Sequence, residues 1–93
     1  MNTDQKIAEI SKILGVDTRV RMLRMLKGKS LCVGALAQRL DITAGAVSQH
    51  LRVLKAAGLV VPEKKGYYVH YSLDEKTMRK FKVEINKLFD GQE

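Results

Sequence analysis

The chain has 93 residues, 45% of them hydrophobic and 29% charged, with a net charge of +7. That length allows one domain with a thin core, for which self-association is a natural route to stability, and the composition excludes wholesale disorder. A single cysteine, Cys32, excludes an internal disulfide and a cysteine-only zinc site, and no apolar run reaches the ~18–20 residues of a membrane span. The first residues, Met1 to Lys6, lack the layout of a signal peptide, so a soluble, cytoplasmic protein is expected.

Helical periodicity opens the chain. Residues 4–14 place Ile7, Ile10 and Leu14 on one stripe, and residues 17–27 place Val20, Leu23 and Leu26 likewise, with the arginines outside. A short helix at 33–40 carries Val33, Leu36, Ala37 and Leu40 at i, i+3, i+4 and i+7. After the break Asp41-Ile42-Thr43 comes a helix from Ala44 to Ala57, with Thr43 as N-cap and Ile42 with Val47 as a hydrophobic staple. Leu59–Lys64 and Tyr67–Leu73 read as strands joined by a Lys65-Gly66 turn, and Pro62 puts the first at an edge or at a position that leaves its ladder site unpaired. Ser72 with Glu75 has the spacing of a capping box, opening a last helix with Met78, Phe81, Ile85, Leu88 and Phe89 on one face. Gly15, Gly28, Gly58 and Gly91 each follow a helical segment, where a left-handed residue is expected. The sum is a mostly α protein with a small β-hairpin, in the order α-α-(short β)-α-α-β-β-α. A short helix, tight turn, second helix and basic-tipped hairpin make a winged helix-turn-helix.

The charge is unevenly placed. Residues 17–66 hold ten Lys and Arg against three Asp and Glu, and so carry the entire surplus. A surface that meets a polyanion has this footprint, although a basic, merely soluble protein would share it. On the 44–57 helix, Val47, Leu51 and Leu54 turn to the core while Gly45, Gln49, Arg52 and Ala56 lie opposite, with Ser48 at the flank. Gln pairs with adenine, Arg with guanine, and small side chains meet a thymine methyl. Gly45 lets a helix N-terminus approach a phosphate. Lys64, Lys65 and Tyr67 at the hairpin tip suit phosphate or minor-groove contact, or else protect an edge against strand pairing. Thr43, Ala44, Gly45, Ser48, Gln49, Arg52, Lys64, Lys65 and Tyr67 are therefore the candidate DNA-binding residues. Thr18 and Arg19 read as packing and helix-start residues, and His50 and His70 as packing or phosphate-contact residues. Cys32, just before a helix, is the candidate redox residue; the plainer reading is a small buried side chain. No constellation for catalysis and no cofactor site appears.

Several of these runs resemble those of the ArsR/SmtB-type repressors. Residues 14–23 (Leu14-Gly15-Val16-Asp17-Thr18-Arg19-Val20-Arg21-Met22-Leu23) resemble the family's opening, and Leu31–Ala37 its third helix. Thr43–Val60, with Ser48-Gln49-His50-Leu51-Arg52 at its centre, is similar to the recognition helix and its exit, and Gly66–Leu73 to the returning strand of the wing. The resemblance covers residues 14–73. It implies a homodimeric repressor of double-stranded DNA, released from its operator by an effector, with the first and last helices pairing protomers. On that basis residues 1–93 are one domain: 14–73 the DNA-binding core, 1–14 and 74–90 the dimerisation helices. Ile7, Ile10, Leu14, Met78, Phe81, Ile85 and Leu88 are the candidate dimer contacts.

The chain departs from the family's metal sites. The arsenic-sensing run Cys-Val-Cys is here Cys32-Val33-Gly34. Along the last helix Asp74 aligns with a zinc ligand, but Lys76 and Lys87 fall on the two histidine positions and Asp90 on the last. Protonated lysine cannot ligate zinc. No metal is expected, and no effector follows from the residues. Two rivals stay open, a winged-helix protein-interaction module and a nonspecific nucleic-acid-binding protein. Preference for an operator over random duplex separates them.

Overall fold

The computed structural model describes residues 1–91. Helix α1 (Thr3–Leu14) starts at a reciprocal cap: Asn2 Oδ1 accepts from the Gln5 amide at 2.8 Å and Gln5 Oε1 from the Asn2 amide at 3.1 Å. Helix α2 (Asp17–Met25) follows, then a two-residue strand β1 (Leu31–Cys32) and helix α3 (Val33–Leu40). Asp41, at φ 55°, ends α3 in the left-handed region, and the Ile42 amide donates back to the Ala37 carbonyl at 3.2 Å. Thr43 Oγ1 then accepts from the Ala46 amide at 3.1 Å, capping α4 (Ala44–Ala56). Three residues thus close one helix and open the next.

Strands β2 (Val60–Lys65) and β3 (Tyr68–Leu73) form the hairpin, and helix α5 (Glu75–Phe89) closes the fold. The sheet is antiparallel with order β1-β3-β2, so Pro62 does lie on an edge strand. The expected element order is the one observed.

Three local expectations need correction. The hairpin turn is Gly66-Tyr67, one residue beyond Lys65-Gly66, because Lys65 pairs with Tyr68 as the last rung. Gly66, at φ 63°, takes the first loop position, and Tyr67 has negative φ, the pattern of a type II′ turn. The cap of α5 is Asp74, whose Oδ1 accepts from the Thr77 amide at 3.1 Å; Ser72 is held in β3 opposite Val61 and forms no capping box. Gly15 ends α1 at φ −79°, outside the left-handed region that Gly28, Gly58 and Gly91 adopt.

The core lies where α2, α3, α4 and the start of β2 meet. Met22, Leu26, Leu36, Leu54 and Leu59 are its largest fully buried side chains. Val47 is buried there, with Ile42 packed against the same cluster, so the two staple residues share one core. Met22 was not on the expected stripe of α2, and it displaces Val20, which is only half-buried. Helix α5 has no buried residue; it lies along α1 at the side of the core.

Candidate nucleic-acid interface

Helix α4 presents three faces. Val47, Leu51 and Leu54 are buried in the core. Ala44, Gly45, Ser48, Gln49 and Arg52 are exposed on the open side, with Thr43 exposed at the cap. Val53 and Ala57 form the third face and, with Ala56 at the border of the open side, line an open groove with α1 and α5. Ala56 is exposed and keeps the heading that sequence periodicity gave it, but at its end of α4 that heading borders the groove. A side chain added at Gly45 would meet only Thr43 Oγ1, at 3.9 Å, so nothing within the protein requires glycine there.

Two of the open-face side chains are joined. Arg52 Nη1 donates to Gln49 Oε1 at 3.4 Å, a pairing that i,i+3 spacing allows. The Gln49 amide group and the rest of the guanidinium remain as donors toward whatever docks there. On the buried side of α4, Arg19 of α2 reaches His50: its Nε donates to His50 Nδ1 at 3.3 Å and its Nη1 to the Ile13 carbonyl at 3.2 Å. Arg19 is half-buried, in contrast to Arg21 and Arg24, which are exposed on the same helix.

The wing carries the remaining candidates. Tyr67 is 100% exposed at the tip, flanked by exposed Lys64 and Lys65. The two lysines differ in their surroundings. Lys65 Nζ donates to Ser30 Oγ at 3.2 Å and lies 3.9 Å from Glu63 Oε1, which ties the wing to the loop before β1. Lys64 makes no such contact among the described residues. Ser30 was missed from sequence: it stands 35 residues from its partner, with no local pattern to mark it.

The expected dimer contacts gather on the other side. Ile10 is already buried within the protomer. Ile7, Leu14, Met78, Phe81 and Ile85 are half-buried, and Leu88 is 59% exposed. Phe89 at 78% extends this apolar surface of α5, while exposed Val83 lies on a different side of the helix, on the groove beside α4. Within the same helix Lys87 Nζ donates to Glu84 Oε1 at 3.1 Å. Among the described residues, no three His, Cys, Asp or Glu side chains gather at a point where a metal would sit. Cys32, half-buried, is the N-cap residue of α3 and pairs across the sheet with His70. No helix among these residues is long and apolar enough to cross a membrane.

This geometry recurs in known proteins. Residues 16–61 match the family described as "Bacterial regulatory protein, arsR family". The transcriptional repressor SdpR of Bacillus subtilis is 32% identical over 65 residues, 70% of this chain and 72% of that protein. An uncharacterized HTH-type transcriptional regulator of Methanocaldococcus jannaschii is 34% identical over 91 residues, 97% of this chain and 98% of that one. Among solved structures, a homodimeric winged helix-turn-helix DNA-binding domain from Mycobacterium bovis superposes with a TM-score of 0.73 at 25% identity, over 92% of this chain and 80% of its own.

Proposed function

The chain belongs to the arsR family of bacterial regulatory proteins, and from that premise we propose that it acts as a dimeric, sequence-specific, double-stranded DNA-binding transcriptional repressor. The family is one of regulators, not enzymes. The observation that carries the reading is the open face of α4. Its exposed Ala44, Gly45, Ser48, Gln49 and Arg52 are backed by a helix rigidly capped at Thr43, in a segment where bases outnumber acids ten to three. An α-helix of this kind fits the major groove, and its amide and guanidinium donors match base-edge acceptors. Lys64, Lys65 and Tyr67 would then fall on the backbone or minor groove beside it, positioning the reader without reading sequence. The apolar surface on α5 would be covered by a second protomer, giving two recognition helices and a two-fold operator. The relatives' names support regulation and, for the Mycobacterium bovis domain, homodimerisation.

Metal sensing has no place in this reading. Cys32 stands alone at α3, and the lysines of α5 offer no lone pair while protonated. Residues 1–93 act as one cytoplasmic unit, with Cys32 the sole thiol on which oxidation could work.

The test is to select duplexes from a randomised pool with the purified protein, then compete the winners against random DNA by fluorescence anisotropy. A repressor should prefer its selected sequence by about 10³-fold or more. Equal binding to both DNAs would favour a nonspecific nucleic-acid-binding protein. Binding to neither would favour a protein-interaction module.

A further inference from the structure

Arg19 touches three helices at once. It belongs to α2, it donates through Nη1 to the Ile13 carbonyl at the end of α1, and it donates through Nε to His50 of α4. Ile13 lies in the last turn of α1, where backbone carbonyls have no helical partner, so the guanidinium caps that terminus and meets its negative dipole end. Next to Ile13 stands half-buried Leu14 and, two turns earlier on the same face, half-buried Ile7, both on the stripe assigned to protomer pairing, while Ile10 between them is buried within the protomer. At the other end, His50 follows Gln49 directly and precedes Arg52 by two residues, on the inner side of the reading helix. Acceptance at Nδ1 requires that nitrogen to be unprotonated.

We propose that Arg19 is a positioning residue that fixes the angle between the pairing helix α1 and the recognition helix α4, and so sets the spacing of the two half-sites that the dimer reads. This rests on the DNA-binding reading above. The chemistry explains why arginine stands here. Its Nε and Nη1 point in different fixed directions from one plane, so a single side chain braces two helices; lysine gathers its three donors on one terminal nitrogen at the end of a flexible stem and does not reproduce that fixed fork. With one brace gone, α4 keeps its own faces and its core contacts, but its orientation relative to the dimer axis loosens. The half-site is still read; the distance between half-sites is not.

The experiment compares wild type with Arg19→Lys, His50→Asn and His50→Leu on duplexes selected by wild type from a randomised pool. In a second series, the spacing between half-sites is lengthened or shortened by one base pair. Half-sites one helical turn apart require a matched protein geometry, so wild type should show a sharp optimum. Arg19→Lys should lose about tenfold at that optimum, comparable to one mismatched base pair, and show a flattened spacing profile. His50→Asn retains an acceptor close to the Nδ1 position and should keep the sharp profile; His50→Leu should flatten it. Sedimentation and thermal unfolding accompany each variant, and the histidine pair carries the test if Arg19→Lys does not fold. A folded, dimeric Arg19→Lys with the wild-type spacing profile overturns the proposal, as does a loss equal at every spacing. If wild type itself shows no preference for selected duplexes, the DNA-binding reading fails and this inference falls with it.

Discussion

The two wing lysines offer a direct measure of whether this surface meets DNA. Lys64 makes no polar contact within the chain among the described residues, whereas Lys65 already spends its ammonium on Ser30 Oγ at 3.2 Å and Glu63 at 3.9 Å. Each phosphate contact contributes a slope of about −0.9 to the dependence of log K on log salt. Across a fourfold change in salt, one contact therefore accounts for about 3.5-fold in affinity. Lys64→Ala should flatten the slope by about one contact, so that its deficit against wild type shrinks about 3.5-fold between ~50 and ~200 mM salt. Lys65→Ala should flatten it less, because a lysine held by Ser30 and Glu63 must leave them to reach a phosphate. Glu63→Gln, which removes one of those attractions, should steepen the wild-type slope. Anisotropy titrations over a salt series, on selected and on random duplex, measure all three. Phosphate contacts carry no base information, so each change should be the same on both DNAs. An unchanged slope for Lys64→Ala, or a loss confined to the selected duplex, would refute the assignment of the wing as a positioning element.

The remaining expectations concern reading, docking, pairing and sensing. Gln49→Ala and Arg52→Ala should each cost ~1–3 kcal/mol on the selected duplex and relax preference at particular base pairs; because the two are hydrogen-bonded, the double variant should lose less than the sum, as a double-mutant cycle would show. Gly45→Ala should stabilise the fold by about 0.5–1 kcal/mol, since the added methyl in a helix meets only Thr43 Oγ1 at an ordinary contact distance, while weakening DNA binding at a close phosphate; urea melts and anisotropy check the opposite signs. Leu88→Glu should give a folded monomer with weakened operator binding, and a wild type that sediments as monomer at micromolar concentration would overturn the dimer. Zinc, cobalt, cadmium or arsenite added to the DNA complex under reducing conditions should leave the anisotropy unchanged. A tenfold loss of affinity with stoichiometric metal would contradict this.

What the sequence revealed of this protein follows the range over which each signal acts. The turn between α3 and α4 was legible because everything that makes it lies within a few residues: Thr43 Oγ1 caps Ala46, and Ile42 and Val47 enter one core. The hairpin was legible as a pair of strands, but not its turn. Gly66 satisfies either loop position, and the choice is made by pairing of Lys65 with Tyr68. The same competition explains the cap of α5. Ser72 and Glu75 have the spacing of a capping box, yet Ser72 is committed to its rung opposite Val61, and Asp74 is the first residue free to cap. Where a local pattern and a cross-strand hydrogen bond compete for one residue, the ladder wins.

The candidate site divides along the same line. Rotating the sequence at about 100° per residue found the core and open faces of α4, because a helix face is a local property. It could not say which element would come to lie against each remaining face. Ala56 has nearly the same heading as Gly45, but at its end of the helix it borders a groove shared with α5 and α1, while a side chain at Gly45 would meet only its own cap residue Thr43. Arg19 with His50 and Lys65 with Ser30 are separated by 31 and 35 residues, and no periodicity connects them. Each joins a residue of the expected DNA surface, or the neighbour of one, to a segment whose sequence carries no sign of it. Periodicity identified the side chains suited to touch DNA, whereas the contacts that hold those side chains in place depend on which segments the fold brings together.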